Sequence, residues 1–300
     1  MGTDCDGGPL LTVIVPTYNR AELVTRSVTS VLDQVFVDLE MIVVDDGSSD
    51  DSVERLSGIE DDRVRLERQD HAGANAARNL GASLARGTLL VFLDSDDELL
   101  PGCLAAFANA CDEDVGLVSV DEWHQSPDGN RVRVGAWDLG FVSEGAAALF
   151  QSGTYAVRRT AFLAVGGFDA RLASGHHTDL AFRLLPVLDR TRQRIVHVPR
   201  ALVVHHLSSP HSIRRDHEAV LRGTEGLLDR HHEVLERAPS RLADYYSVAG
   251  VAAMRLNETA RARRHLRAAV RYQPDSLRRW ARLGLAYLPR PLRPWGPTGA

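Results

Sequence analysis

The sequence contains no lysine, only three cysteines, and no apolar run approaching the ~20 residues that a transmembrane helix requires. Lysine often holds phosphates in nucleotidyltransferases, so its absence weighs against that class. Cys5, Cys103 and Cys111 form no disulfide framework, which is typical of a reducing cytoplasm. The acidic, glycine-rich N-terminus also lacks the basic start and apolar core of a secretory signal. We therefore predict a cytoplasmic protein.

Charge is distributed unevenly along the chain. Residues 241–300 hold twelve arginines against three acidic residues, a net charge of +9. Because the whole chain has a net charge of −5, residues 1–240 have a net charge of −14. The acidic body argues against nucleic-acid binding. The basic segment also contains Trp280 and Tyr287, and such a mixture is typical of contact with an anionic partner. That partner is either a protein surface, including the acidic body itself, or the inner face of a membrane.

Apolar runs alternate with helical spacings in the first third of the chain. The runs at residues 10–15, 39–44 and 89–93 have the length of buried strands, and residues 21–32 and 72–85 have the spacing of helices. This alternation predicts an α/β fold with a mostly parallel, Rossmann-like sheet flanked by helices. Polar residues that follow the strands are expected along one sheet edge, where nucleotides bind.

The run at residues 89–93 ends in an acidic cluster, Asp94-Ser95-Asp96-Asp97-Glu98. Neighbouring carboxylates repel each other, and a divalent cation relieves that repulsion. Mg²⁺ and Mn²⁺ prefer oxygen ligands and commonly share them with substrate phosphates. The cluster is therefore either a metal–diphosphate site on Asp94 and Asp96 or a solvated acidic turn.

The last third of the chain is predicted to be helical. A helical pattern runs from Ser212 to about Arg237, and Ala238-Pro239-Ser240 is typical of a linker. Three further helices are predicted at residues 242–256, 258–272 and 275–288. The first two resemble a tetratricopeptide-like pair. We predict two domains, residues 1–237 and a basic helical extension at residues 238–300.

Four blocks of the sequence resemble the family 2 glycosyltransferases of the GT-A fold. They are VIVPTYNR, IVVDDGSSDDS, GANAARNLGA and GTLLVFLDSDD, in the family's order and spacing, and VRRTAFLAVGGFD follows later. The resemblance covers roughly residues 10–215. It implies a GT-A domain and inverting transfer of a sugar from a nucleotide-sugar, with a UDP-sugar favoured, to a hydroxyl or other nucleophile.

The resemblance also assigns a nucleobase site. It implies that Pro16, Thr17 and Asp46 contact the base, that Asp45 lies beside them, and that Arg78 reaches the base from the following helix. Asp45 and Asp46 have an alternative role as caps of a turn. The alternative for Arg78 is a salt bridge on the helix surface.

A second part of the implied site holds the ribose and the diphosphate. Asp94 would hold the ribose, Ser95 would lie within the same nucleotide-sugar site, and Asp96 would bind Mn²⁺ or Mg²⁺. His205 follows a predicted strand, and its imidazole would join Asp96 more readily on Mn²⁺ than on Mg²⁺. The alternative for His205 is a surface histidine at a strand end. His231 lies in a charge-rich helical run and is predicted to be solvated.

The sequence departs from the family where a general base is expected. Inverting transfer needs a base to deprotonate the acceptor, and the family usually supplies an aspartate in a Gly-Glu-Asp-x-Asp-Leu segment. This chain has Gly175-His176-His177-Thr178-Asp179-Leu180. Three interpretations follow: His177 is the base, Asp179 acts after a local rearrangement, or transfer activity has been lost.

These observations predict a metal-dependent inverting glycosyltransferase that is cytoplasmic or peripheral at the inner face of the membrane. The alternative is a non-catalytic scaffold that binds a sugar nucleotide and recruits a partner through its helical tail. The sequence identifies neither the sugar nor the acceptor.

Overall fold

A computed structural model of the protein describes residues 8–36, 38–207 and 216–289. The strands are β1 (Leu11–Thr17), β2 (Leu39–Asp45), β3 (Val64–Arg68), β4 (Leu89–Phe92), β5 (Glu98–Leu99), β6 (Val115–Gln125), β7 (Arg131–Val134), β8 (Trp137–Asp138), β9 (Ala147–Ala148), β10 (Tyr155–Arg158) and β11 (Arg194–His206). The helices are α1 (Ala21–Leu32), α2 (Ser52–Ser57), α3 (Ala74–Leu84), α4 (Cys103–Ala110), α5 (Arg159–Ala164), α6 (His176–Arg190), α7 (His217–Glu236), α8 (Pro239–Arg255), α9 (Thr259–Tyr272) and α10 (Leu277–Leu285).

One mixed sheet organises the α/β part of the molecule and confirms the predicted fold class. Its strand order is β3-β2-β1-β4-β10-β6-β11-β5, and β7 pairs with β6. Strands β3, β2, β1 and β4 are parallel, whereas β10 runs antiparallel between β4 and β6. The alternation of strands and helices in the sequence predicts this parallel half of the sheet.

The carboxyl ends of β1, β2 and β4 meet at one edge of this sheet. Thr17 and Asp45, the last residues of β1 and β2, are register partners. The Leu93 N–H donates to the Ile14 carbonyl over 3.0 Å, so Asp94 follows β4 at the same edge. Both β1 and β2 are buried along their whole length, which explains their unbroken apolar runs.

Helix α3 packs closely enough on the sheet to fix the residues it carries. A Cβ at Gly81 would lie 2.6 Å from Ile14 Cγ2, so only glycine fits there without displacement. Arg78, almost one turn earlier on α3, is 3% exposed. The close packing therefore holds the guanidinium group next to the site-forming edge of the sheet.

One local prediction is wrong, and β11 is longer than an ordinary strand. Strand β11 pairs with β6 through register shifts that absorb Pro199. The predicted linker at residues 238–240 instead begins α8, with Pro239 in its first turn. Proline is tolerated there because the first N–H groups of a helix have no partner within the helix.

The chain forms two compact units. The first comprises Met1–Ala170 and Leu180–Pro210, and the second comprises Arg171–Asp179 and His211–Ala300. Helix α7 belongs to the second unit because Leu221 packs in one core with Ala249 and Ala253 of α8 and Leu266 of α9. The proposed domain boundary at residues 237/238 and the tetratricopeptide-like character of α8 and α9 stay predictions. Among the described helices, none combines the length and hydropathy needed to span a membrane.

Glu40 lies near the start of β2, at the opposite end of the strand from Asp45, and its hydrogen bonds can be tested by mutation. Its carboxylate accepts hydrogen bonds from the Thr12 hydroxyl (2.7 Å), the Arg86 N–H (2.6 Å) and the Gly87 N–H (3.2 Å). Burial raises the pKa of Glu40, but these hydrogen bonds outweigh it, and the pKa is lowered from 4.5. We expect Glu40→Ala to lower the free energy of unfolding by about 1–3 kcal/mol, because the Thr12 hydroxyl and the Arg86 N–H lose their acceptor.

The same residue gives a pH dependence with a defined sign. A depressed carboxyl pKa contributes stability that is present above its unfolded value and is lost as the pH falls through the folded value. The difference between wild type and Glu40→Ala in urea unfolding should therefore be full at neutral pH and shrink below about pH 4.5. A difference that does not change with pH would contradict this assignment.

Candidate functional site

Three carboxylates converge just beyond the end of β4. Oxygen atoms of Asp94, Asp96 and Asp97 lie within 4.8 Å of one another. In the described part of the chain, this is the one such group of three or more acidic, histidine or cysteine side chains. An all-oxygen set suits hard divalent cations, so these residues fit the Mg²⁺ or Mn²⁺ expected from the sequence.

Arginine side chains from two helical elements engage this cluster. The Arg78 guanidinium donates to Asp94 Oδ1 and, over 2.7 Å, to Asn75 Oδ1 on the same helix. Arg20, just before α1, places Nη1 2.8 Å from Asp96 Oδ1. Arg78 is therefore a buried ion-pair partner of Asp94, not a residue of the helix surface.

Asp97 is the buried member of the cluster. Its side chain is fully buried, and Oδ2 lies 3.0 Å from Nδ1 of His205. Burial raises the pKa of Asp97 to about 6, His205 opposes this rise, and the charges of Asp96 and Asp94 add to it. Burial and the two neighbouring carboxylates therefore disfavour a negative charge on Asp97, and a bound cation would offset that effect.

His205 lies next to the cluster but outside the group of three carboxylates. It contacts Asp97, and its ring centroid lies 5.4 Å from that of His124. His206 places Nε2 2.6 Å from Glu98 Oε1. The predicted role of His205 as a direct metal ligand stays a prediction, whereas its contact with Asp97 orients a carboxylate of the cluster.

The aspartates at the end of β2 organise the adjacent loops. Asp45 Oδ2 accepts from the Ser48 N–H over 3.1 Å and pairs with Arg68. Asp46 accepts from the Ala72 and Gly73 N–H groups, each over 2.8 Å, just before α3. Asp45 therefore caps the turn after β2, its alternative role, whereas Asp46 connects that turn to the loop before α3. Their contact with a nucleobase stays a prediction.

The other predicted nucleotide residues lie along the same edge. Pro16 and Thr17 are in β1, and the buried Thr17 hydroxyl has no hydrogen-bond partner among the described residues. Ser95 is 2% exposed, and its hydroxyl accepts from Arg20 Nη1 over 3.4 Å. The Ser95 hydroxyl is therefore buried next to the carboxylate cluster.

Sequence reasoning missed three features of this edge. Tyr18 stacks on His71 with ring centroids 4.1 Å apart, and Tyr18 is 42% exposed. Arg20 and Asp97 were given no role. The signal for Tyr18 and Arg20 was present, because both lie in the VIVPTYNR block, but the pairing of Arg20 with Asp96 spans 76 positions.

The predicted base segment lies at the start of α6 in the second unit. Gly175 adopts φ +76°, and a Cβ there would lie 2.6 Å from Leu227 Cδ1, so glycine is required before this helix. The His176 and His177 ring centroids lie 4.5 Å apart. His177 is partly exposed as a residue, but its Nε2 atom is buried, so Nδ1 is the ring nitrogen that could meet an acceptor.

Asp179 is held differently. It is fully buried, and Oδ1 lies 2.5 Å from Arg230 Nη1 and 2.9 Å from His231 Nε2. The prediction that His231 is solvated is wrong, because it is 7% exposed at a kink of α7. These contacts favour a structural role for Asp179, and its alternative role as base stays a prediction.

The Asp179 network can be tested by stability. Asp179→Asn removes the charge that Arg230 and His231 face, so we expect the free energy of unfolding to fall by about 3 kcal/mol. Chemical denaturation measures the change, with Asp62→Asn, a change at an exposed acid, as the matched control. Unchanged stability would contradict a structural role.

The comparisons with known proteins agree with this geometry. The family model described as glycosyl transferase family 2 matches residues 12–167, just over half of the chain. These residues include the strand edge and the carboxylate cluster. The chain belongs to glycosyl transferase family 2.

Two curated relatives match over shorter segments. A GalNAc(5)-diNAcBac-PP-undecaprenol beta-1,3-glucosyltransferase of Campylobacter jejuni is 41% identical over 109 residues, which are 35% of each chain. The succinoglycan biosynthesis protein ExoO of Rhizobium meliloti is 38% identical over 117 residues, 39% of this chain and 34% of that protein. The matches span about a third of these relatives.

Solved structures support the fold over most of the chain. S. aureus TarS 1–349, solved in complex with UDP-GlcNAc, has a TM-score of 0.63 and 19% identity and covers 92% of this chain and 84% of that one. The mannosyltransferase PcManGT of Pyrobaculum calidifontis, solved with GDP-Man and Mn²⁺, has a TM-score of 0.59 and 19% identity, with coverages of 92% and 79%. This likeness confirms the GT-A fold.

Proposed function

We propose that this protein transfers a sugar, with inversion, from a nucleotide-sugar to a nucleophilic acceptor, and that it uses a divalent cation. The observation that carries the proposal is the convergence of Asp94, Asp96 and Asp97 at the nucleotide edge of a GT-A sheet. The matching family and the Campylobacter jejuni relative are both named as glycosyltransferases, which favours catalysis over a non-catalytic scaffold.

Asp96 is the principal metal ligand in this proposal. It is 13% exposed, unlike the fully buried Asp97, so its carboxylate is open to a ligand from solvent. The cation, Mn²⁺ or Mg²⁺, would act as a Lewis acid that offsets the charge developing on the leaving nucleoside diphosphate. Arg20 pairs with Asp96, and in this proposal its guanidinium group would also contact the diphosphate.

The nucleotide binds along the ends of β1, β2 and β4 in this proposal. The Thr17 hydroxyl, Asp46 and the exposed face of Tyr18 lie at the base end, and Asp94, oriented by Arg78, holds the ribose. A UDP-sugar is favoured because TarS, with a similar fold, was solved with UDP-GlcNAc. PcManGT was solved with GDP-Man, so the base must be measured.

His177 is the proposed general base. A ring nitrogen takes the proton of the acceptor hydroxyl while its oxygen bonds to the anomeric carbon and the bond to the diphosphate breaks. An ordinary imidazole has a pKa near 6.5, which suits proton removal at neutral pH. The buried ion pair of Asp179 with Arg230 supports this assignment over Asp179.

Isothermal titration calorimetry with a panel of nucleoside diphosphates and nucleotide-sugars, each with and without Mn²⁺, tests the donor site. We expect one nucleotide, with UDP favoured, to bind much more tightly with Mn²⁺ present. Failure of folded protein to bind any nucleotide would refute the proposal and leave the scaffold alternative to be tested by partner capture.

The acceptor is open in this proposal. The Campylobacter jejuni relative is named for a polyprenyl-diphosphate-linked acceptor, which makes a lipid-linked saccharide the first class to assay. A cytoplasmic location, peripheral at the inner face of the membrane, would fit such an acceptor. Contact of residues 241–300 with a membrane or protein stays part of the proposal.

A further inference from the structure

Helix α10 packs Leu283 and Leu285 against the core of the second unit but also exposes two large apolar side chains. It buries the charged Arg279, which is 8% exposed, and leaves Leu277 and Trp280 85% and 51% exposed. Arg279 Nη2 donates to Asp244 Oδ1 over 2.8 Å and to the Ser240 carbonyl over 3.3 Å, so the buried charge is paired with a carboxylate. The exposed apolar side chains are therefore a stable feature of a well-anchored helix.

Two further exposed apolar side chains follow Leu277 and Trp280 in the chain. Tyr287 and Leu288, in the turn just after α10, are 48% and 38% exposed. We call these four residues the α10 patch. An exposed apolar group of this kind is typical of a surface that contacts another apolar phase or partner.

The aromatic rings of the α10 patch are fixed by contacts within the unit. The Trp280 Nε1–H donates to the Pro274 carbonyl over 2.8 Å, so the indole presents mainly apolar carbon to solvent. The Arg263 guanidinium lies 4.2 Å from the Tyr287 ring centroid, and Arg267 donates to the Tyr287 hydroxyl. The patch is thus pre-organised and bordered by arginine.

The charge around the patch is almost entirely positive. Residues 259–289 contain eight arginines and a single acid, Asp275. Arg278 is exposed within α10 itself, and Arg264, Arg267 and Arg271 are exposed on α9. A partner that matches this surface must offer both negative charge and an apolar interior.

We propose that the α10 patch docks on the surface of a bilayer that contains anionic lipids. Leucine, tryptophan and tyrosine would enter the boundary between headgroups and acyl chains, while the arginines pair with lipid phosphates. A bilayer supplies both matching properties over a flat area. This inference stands on the second unit alone and does not depend on the proposed transfer reaction.

Sedimentation of the full chain with sucrose-loaded vesicles tests the inference. We expect binding to vesicles of phosphatidylcholine mixed with phosphatidylglycerol, little binding to phosphatidylcholine alone, and weaker binding as salt rises. The double variant Leu277→Ser/Trp280→Ser should bind about tenfold or more weakly. Leu277→Asp, at the most exposed of these positions, should show the same direction with less risk to the fold.

The control is Val132→Ser, which removes an apolar side chain that is 64% exposed on β7 and should leave vesicle binding unchanged. Circular dichroism shows that each variant is folded. Absence of wild-type binding to anionic vesicles would overturn the inference, as would binding that survives both α10 changes. Self-association in sedimentation velocity that Leu277→Asp abolishes, without vesicle binding, would instead assign the patch to a second copy.

Discussion

Asp96→Asn is expected to abolish metal-dependent donor binding and to lower the rate of nucleoside diphosphate release about a thousandfold. Asparagine keeps the shape of the side chain but removes the charge that attracts a cation. Lewis-acid stabilisation of a leaving diphosphate amounts to several kcal/mol, and each 1.4 kcal/mol changes a rate tenfold. Release of diphosphate from the donor chosen by calorimetry, measured over a range of Mn²⁺ concentrations, gives the change.

The matched control for this experiment is Asp62→Asn, a change at an exposed acid away from the cluster, which should leave both binding and release unchanged. Arg20 complicates the expected stability, because it pairs with Asp96 in the absence of metal. The thermal midpoint of Asp96→Asn must therefore be measured alongside its activity. A folded Asp96→Asn protein with wild-type metal dependence would rule out Asp96 as the ligand.

His177→Ala is expected to lower the transfer rate by about 10²–10⁴-fold, because a positioned general base contributes that much. Donor binding should not change, since the nucleotide contacts proposed above do not include this residue. Steady-state rates and calorimetry on the same preparation separate the two effects. His232→Ala, which removes a partly exposed histidine on α7, is the matched control and should have wild-type rates.

His177→Asp distinguishes the interpretations of this position. If histidine is the base, the aspartate variant should be slower at neutral pH and should keep its activity to lower pH, because a carboxylate holds its proton less tightly than an imidazole. If transfer activity has been lost in this chain, restoring the family's aspartate should raise the rate. Equal rates in wild type, His177→Ala and His177→Asp would show that another group is the base.

The sequence predicts the strand edge because its signals are local. A buried apolar run that ends in Asp94-Ser95-Asp96 indicates both a strand and a carboxylate cluster within ten positions. The parallel pairing that brings Thr17, Asp45 and Asp94 to one edge then follows from the alternation of strands and helices.

The partners of these residues were not predictable in the same way. His205 meets Asp97 across 108 positions, and Arg20 meets Asp96 across 76, so no local pattern links them. The charge-rich composition of α7 predicts a solvated His231, whereas His231 Nε2 lies 2.9 Å from Oδ1 of Asp179, 52 positions away in the chain. Proline is common in linkers, so the sequence predicts a linker at Pro239. Proline is also common in the first turn of a helix, and that is its position in α8.

The anomalous difference map of a crystal grown with UDP and Mn²⁺ is the measurement that decides the account of the site. We predict a manganese peak at bonding distance from an Asp96 carboxylate oxygen, next to Asp94 and Asp97, with the diphosphate on the same ion and the base along the ends of β1 and β2. A bound nucleotide with no manganese at this cluster, or manganese bound away from Asp96, would contradict the account.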